Sequence, residues 1–269
     1  MTYVGVLAPG KRKALKLLRA FVKSSDGRVL AVERIRKRHV DINSWVFYGV
    51  DLVTLPFFEL AKRRGNFVYI DNGYLCSKYH GAIPPYYRVT RGAAQHSGIG
   101  MSDGERFAAL DVEIKPWRGD GDGDHVLIAM QSAWWFERHG IDREQWLAQI
   151  VEFVREHTGR PIRIREKPVG LLHGAAVEND LTGAWCVVTH ASNVAVDAIV
   201  AGVPAVVLGP SAAAPMAGSR LEHVIDPPMP AGRLEWCGVL ADNQWTIQEI
   251  TAGMPLQAVD PQGVARGNG

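Results

Sequence analysis

Thr189, His190, Ser192 and Asn193 stand between a short apolar run, Cys186-Val187-Val188, and a segment where Val194, Ala195, Ala198 and Ile199 recur with helical spacing. The run has the length of a buried parallel strand. Gly202 then stops the helix, and Pro204 turns the chain into a second apolar strand over 205–208. This strand–turn–helix–strand order puts hydrogen-bonding side chains where a helix N-terminus leaves backbone N–H groups free, an anion-binding arrangement. Asp197, one turn into the helix, is placed to reach a sugar hydroxyl beside a phosphate held at the turn. The ordinary alternative is that Ser192 or Asn193 only caps the helix. Arg165 ends another strand-like run, 162–165, with Lys167 two residues on, and in a strand that spacing puts both cations on one face. Two such cations make a cradle for a diphosphate; matched to Glu166 or Glu178 they are surface charges only. Gln131 and Ser132, at the end of the run 125–130, are weaker candidates for phosphate or sugar contacts.

In the first half, Asp71 directly follows the apolar run 67–70 and precedes Asn72-Gly73. Its carboxylate therefore belongs at a sheet's C-terminal edge, a position suited to a general base, although Asp-Asn-Gly is also ordinary turn chemistry. His96, in the loop Gln95-His96-Ser97-Gly98, is the rival base, with a side chain that titrates near neutral pH. Arg88, on a strand-like segment over 86–90, and Arg91 just beyond it are candidates for binding phosphate.

The elements that must position these groups alternate. Strands are expected over 3–7, 28–32, 45–50, 67–70, 86–90, 125–130, 162–165, 186–188, 205–208 and 223–225. Helices are expected after residue 12, over 57–64, from the Asp142/Gln145 capping box onward, and over 233–240 and 244–252. Between the halves lies Gly119-Asp120-Gly121-Asp122-Gly123-Asp124. As a calcium loop counted from Asp120, its sixth and twelfth positions would be His125 and Gln131 rather than Gly and Glu, so it reads as a linker. The expectation is an α/β protein of two Rossmann-like domains, 1–118 and 119–269, facing a cleft at their strand ends.

The totals narrow the classes. At 269 residues and 47% hydrophobic, the chain has an adequate core for two such domains. No apolar run approaches the roughly 20 residues of a membrane span, and the N-terminus lacks the order of a secretory signal. Cys76, Cys186 and Cys237 are widely separated, which argues against a disulfide framework or structural zinc and for a cytoplasmic setting. There is no G-x-S-x-G, no Walker A sequence and no dinucleotide fingerprint. Charge is uneven. Residues 1–70 hold fourteen Lys/Arg against five Asp/Glu, a net +9, so the rest of the chain carries −7 against a total of +2. The excess falls at Lys11-Arg12-Lys13, at 34–38 and at Lys62-Arg63-Arg64, the footprint a polyanion partner requires.

The strand, the His/Ser/Asn turn, the acid-bearing helix and Ala201-Gly202-Val203-Pro204 resemble the donor half of GT-B-fold glycosyltransferases. More narrowly, Tyr87-Arg88-Val89-Thr90-Arg91 and segments 163–168, 190–204 and 243–253 resemble small glycosyltransferase-like proteins of phage and prophage genomes. The resemblance implies a nucleotide-diphosphate sugar as donor, bound at Gln131, Ser132, Arg165, Lys167, His190, Ser192, Asn193 and Asp197. It implies no metal and no further cofactor. The acceptor hydroxyl would be deprotonated by Asp71 or His96 and bound by Arg88 and Arg91. DNA is the expected partner, through a 5-hydroxymethylpyrimidine base, in the cytoplasm of the host cell. A surface glycan or lipid-linked sugar is the alternative acceptor, and a non-catalytic nucleotide- or DNA-binding module is the alternative class.

Overall fold

The computed structural model describes residues 2–25, 27–36, 44–119, 121–167 and 177–259. Arg38, Asp120 and Pro168, which belong to segments singled out above, lie outside them. The chain forms two compact units, residues 1–96 with the segment from Leu240 onward, and residues 97–239.

The first unit is built on a six-stranded sheet: β1 (Tyr3–Leu7), β2 (Arg28–Ala31), β3 (Ser44–Tyr48), β4 (Phe67–Asn72), β5 (Tyr86–Arg91) and β10 (Gln244–Thr246), in the order β10-β5-β4-β3-β1-β2. Strands β1 to β4 are parallel, while β5 runs antiparallel to β4 and β10 antiparallel to β5. Strand alternation sorts the side chains onto two faces. Val46, Val68 and Ile70 join Tyr3, Leu17, Leu18 and Phe21 in one core. Trp45, Phe47, Phe67 and Tyr69 join Val6 and Phe58 in the other. The helix Arg12–Lys23 covers the first face, burying Ala14, Leu17, Leu18, Phe21 and Val22. The helix Leu55–Arg64 carries Lys62, Arg63 and Arg64 in its last turn and ends at Gly65. Cations in a last turn complement the helix dipole, so this basic cluster has a structural explanation.

The second unit holds a four-stranded, fully parallel sheet: β6 (His125–Ala129), β7 (Ile162–Arg165), β8 (Ala184–Thr189) and β9 (Ala205–Val207), in the order β7-β6-β8-β9. Val126, Ile128, Cys186, Val188 and Val206 pack against Phe136, Trp146, Ile150 and Val154. Asp142 caps the helix Arg143–His157 by accepting a hydrogen bond from the Gln145 N–H at 2.8 Å. The helix Val194–Val200 buries Ala195, Val196, Ala198 and Ile199 completely. Among the described residues, no helix is long and apolar enough to cross a membrane.

Three expectations differ from this arrangement. The chain enters the second unit at Ser97 rather than at the Gly/Asp run, because residues 97–118 pack onto the second unit. Lys115 N–H bonds the Val200 carbonyl, Arg118 N–H bonds the Gly202 carbonyl, and the Arg118 side chain bonds the carbonyls of Leu181 and Ala184. A Cβ at Gly202, whose φ is +78°, would stand 1.9 Å from the Pro116 carbonyl oxygen, so this packing requires glycine. Second, residues 221–224 form a 3-10 helix, not a strand. Third, residues 244–252 are not one helix. Gln244–Thr246 is the edge strand β10, and only then does Thr246 open the short helix Ile247–Thr251 with a reciprocal Thr246/Glu249 capping box.

Candidate functional site

In the first unit, Asp71 and Arg88 are directly paired residues of β4 and β5. Antiparallel pairing puts their side chains side by side on one face. Arg88 Nη2 donates to Asp71 Oδ2 at 3.1 Å, and Arg88 Nη1 to the Asn72 carbonyl at 3.3 Å. The other carboxylate oxygen of Asp71 accepts from the Asn72 N–H at 2.8 Å and from Asn72 Nδ2 at 3.2 Å. The guanidinium also lies 5.2 Å from the ring centroid of fully buried Tyr74. Arg88 is itself buried, which corrects its expected role: its donors serve Asp71 and the backbone rather than an incoming phosphate. Arg91 is exposed, and its Nη1 donates to the Val259 carbonyl at 2.8 Å. His96 is half-buried, its backbone N–H donates to the Tyr74 hydroxyl at 2.7 Å, and burial holds its imidazole below the ordinary histidine value.

Lys13 completes this cluster and was missed. Its Nζ donates to Asn72 Oδ1 at 3.2 Å and lies 5.2 and 4.9 Å from the ring centroids of Tyr48 and Tyr87. The residue as a whole is exposed, yet desolvation of the ammonium, helped by Lys78 and opposed by Asp71, brings its pKa down to about 8. In the sequence it was one cation in a basic run. Only the pairing of β3, β4 and β5 shows that Tyr48, Asn72 and Tyr87 surround it.

In the second unit, the ends of β6, β8 and β9 bring part of the expected donor set together. The His190 ring packs 4.7 Å from the ring of Trp135, which lies on the helix Ala133–Arg138. That helix follows β6 and is capped by Ser132, whose hydroxyl accepts from the Trp135 N–H at 3.3 Å. Gln131 beside it is buried. The His190 ring also covers Gly209, where a Cβ would stand 2.0 Å from Cε1. Its Nδ1 is buried without a hydrogen-bond partner among the described residues. Burial, with His139 adding to it, lowers the imidazole pKa. Thr189 Oγ1 donates to the Ala129 carbonyl at 2.7 Å and accepts from the Ser192 N–H at 3.3 Å, tying the β8 turn to β6.

The helix after that turn is only seven residues long, so its dipole is short. Ser192 Oγ accepts from the Val194 N–H at 3.3 Å, while Asn193 stands at the cap position with no side-chain cap bond. Asp197 lies in the first turn, half-buried. Arg165 does not form the expected free pair with Lys167. Its guanidinium is ion-paired to Asp180 on the helix Val177–Leu181, and Glu166 is paired to Arg143. Strand β7 ends at Arg165, so the two-residue period does not carry through to Lys167, which is exposed beyond the strand end.

Replacing Gly209 by alanine is expected to drive the His190 ring off its seat. Overpacking of this kind costs about 1–3 kcal/mol. A fall in melting temperature is the expected result. An unchanged melting temperature would mean that the ring is not held against Gly209.

No family model matches the chain, and no curated protein matches it. Among solved structures it is similar to the beta Kdo 2,4 transferase of KpsC from Thermosulfurimonas dismutans, at 14% identity and a TM-score of 0.54, over 92% of this chain and 97% of the other. It is similar also to the beta Kdo 2,7 transferase of the same organism's KpsC, at 13% identity and a TM-score of 0.53, over 94% and 98%. At such identity the likeness shows the fold, which is a GT-B-type α/β fold with parallel-strand sheets.

Proposed function

We propose that the chain is a glycosyltransferase that moves a sugar from a nucleotide-diphosphate donor to an acceptor hydroxyl. The observation that carries this reading is a GT-B-type fold matched end to end to two sugar transferases. Polar side chains gathered at strand ends, where open α/β sheets hold ligands, support it. The donor set in this reading is Gln131, Ser132, Lys167, His190, Ser192, Asn193 and Asp197. Asp71 is the general base, Arg88 positions it, and Lys13 with the tyrosines around it receives the acceptor. The acceptor is a 5-hydroxymethylpyrimidine base in DNA, a reading supported by the net +9 of residues 1–70. An enzyme working on a base within a duplex would have to flip it out of the stack. A second reading, a sugar acceptor on a glycan, is favoured by the printed activity of both neighbours, which are Kdo transferases.

The test is mass spectrometry of nucleosides from hydroxymethylated and plain DNA, each incubated with the protein and a panel of nucleotide sugars. A hexose- or pentose-sized mass increment on the hydroxymethylated base alone is the expected result. Donor hydrolysis without any DNA product would point to the glycan reading. No donor turnover under any condition would leave only a binding module.

A further inference from the structure

Arg12, Lys16, Arg19 and Lys23 are separated by four, three and four residues, the spacing that stacks side chains along one face of a helix. All four are exposed on the helix Arg12–Lys23, whose opposite face is buried in the core. The helix contains no Asp or Glu. None of the four cations has an ion-pair or hydrogen-bond partner among the described residues. This is not the pattern of an ordinary solvated helix face, where Glu/Lys pairs one turn apart offset each other. Cations three and four residues apart repel, and Arg12 stands at the end of the helix where the dipole disfavours positive charge. The arrangement therefore works against the helix unless an anion is near.

A second element adds to it. Among the described residues, strand β2 is an edge of the first sheet, and Arg28 at its start is exposed. Between β2 and the helix lies a groove of about 520 Å³, with Leu7, Leu15, Val22 and Val29 lining it and Arg19, Lys23 and Arg28 as its charged residues. The twelve residues of helix from Arg12 to Lys23 span eleven steps, about 16 Å. A duplex offers one phosphate per roughly 3.4 Å along each strand, so about five phosphates face a ridge of that length.

We propose that the ridge Arg12, Lys16, Arg19 and Lys23, with Arg28, is a docking surface for the phosphate backbone of double-stranded nucleic acid. The proposal rests on the nucleic-acid reading of the acceptor and narrows it to one surface. Contacts of this type fix register and carry no sequence information. An anionic membrane is the less suitable partner. A helix lying on a bilayer sinks its apolar face into the lipid, and here that face is occupied by the protein's own core.

The experiment uses the full chain, a 20-base-pair duplex of arbitrary sequence, and salt from 50 to 250 mM. For wild type, the logarithm of the binding constant should fall linearly with the logarithm of salt, by about 0.9 per neutralised phosphate. The variant R12Q/K16Q/R19Q/K23Q should flatten that slope by about 3 to 4 and weaken binding at 50 mM by roughly 100-fold or more. Its melting temperature should hold or rise, because repulsion along the helix is relieved. The variant K62Q/R63Q/R64Q, at the end of another helix, should keep the wild-type slope. Absence of duplex binding at 50 mM overturns the proposal, and so does an unchanged slope in the ridge variant. A loss seen on phosphatidylglycerol vesicles but not on the duplex assigns the ridge to membranes and also overturns it. Donor hydrolysis measured without DNA separates the two readings: its persistence beside failed duplex binding sinks the ridge and spares the transferase.

Discussion

Asparagine at position 71 is expected to lower turnover by about 10²–10⁴-fold, the usual contribution of a positioned general base, with nucleotide-sugar affinity near wild type. The geometry makes the test clean. Asp71 Oδ2 is held by Arg88 and Oδ1 by the two nitrogens of Asn72. An asparagine can still accept from Arg88 with its amide oxygen, but its NH2 cannot accept from the two Asn72 nitrogens, so the proton acceptor is lost together with those two bonds. The side chain remains 29% exposed, enough for a hydroxyl to reach it. The rival assignment makes a different prediction. Burial lowers the His96 pKa, so His96 is neutral and able to accept a proton at pH 7. A rate that depended on it would fall only at a pH more acidic than an ordinary histidine would give. Initial rates of donor consumption for Asp71→Asn and His96→Gln, with the stereochemistry of the product, decide between them. An inverted product from Asp71→Asn at full rate would end the case for the carboxylate. A retained configuration would mean that the leaving phosphate can take the proton and that neither residue is required.

The fold was legible wherever one periodicity covered a whole element. The unbroken apolar run Phe67 to Ile70 reads as a strand, and Leu15, Leu17, Leu18 and Phe21 recur as one face of a helix, although the structure buries Ala14 there rather than Leu15. Where two short elements share a few residues, pattern fails. Gln244-Trp245-Thr246 is three residues long, too short to show alternation. What makes it a strand is distant in sequence: its pairing with Tyr86, Tyr87 and Arg88. Buried Gln244 reinforces this by accepting a hydrogen bond from the Leu75 N–H at 2.9 Å. The boundary near the Gly/Asp run was misplaced for the same reason. Glycines advertise a turn, but whether a turn separates domains depends on what lies on either side, and residues 97–118 are held by backbone bonds to the second unit.

The candidate site was legible by residue type and not by pairing. Asp71 and Arg88 were each identified alone, as base and as phosphate ligand. Their cross-strand register makes them one ion pair, and Arg88 changes role as a result. Arg165 reads from the sequence either as a diphosphate ligand or as a charge matched to Glu166 or Glu178; its partner is instead Asp180, fifteen residues later, which gives no local sign of that role. Gly209 carried no signal at all, since its importance is the imidazole that lies against it.

The same ion pair carries an asymmetric stability prediction. Asp71→Ala is expected to destabilise the fold by about 3–5 kcal/mol, the range for stranding a buried charge. Arg88→Met should cost less, about 1–3 kcal/mol, the range for a lost hydrogen-bonding partner. The difference follows from burial: the Arg88 side chain is 8% exposed and that of Asp71 29%. Without Asp71, the guanidinium is left with the Asn72 carbonyl at 3.3 Å and the face of Tyr74, and its Nε already lacks a partner among the described residues. Without Arg88, the carboxylate keeps both Asn72 nitrogens and gains water, while methionine fills much of the space left by the arginine stem. Urea unfolding of the two variants, compared at equal m-values, measures the order directly. A larger loss for Arg88→Met would mean that Asp71 does not sustain the buried charge. Asp71→Asn should fall between wild type and Asp71→Ala, because its amide oxygen still accepts from Arg88 Nη2. Turnover of that variant therefore has to be measured well below its own unfolding transition, where a lost base and a lost fold cannot be confused.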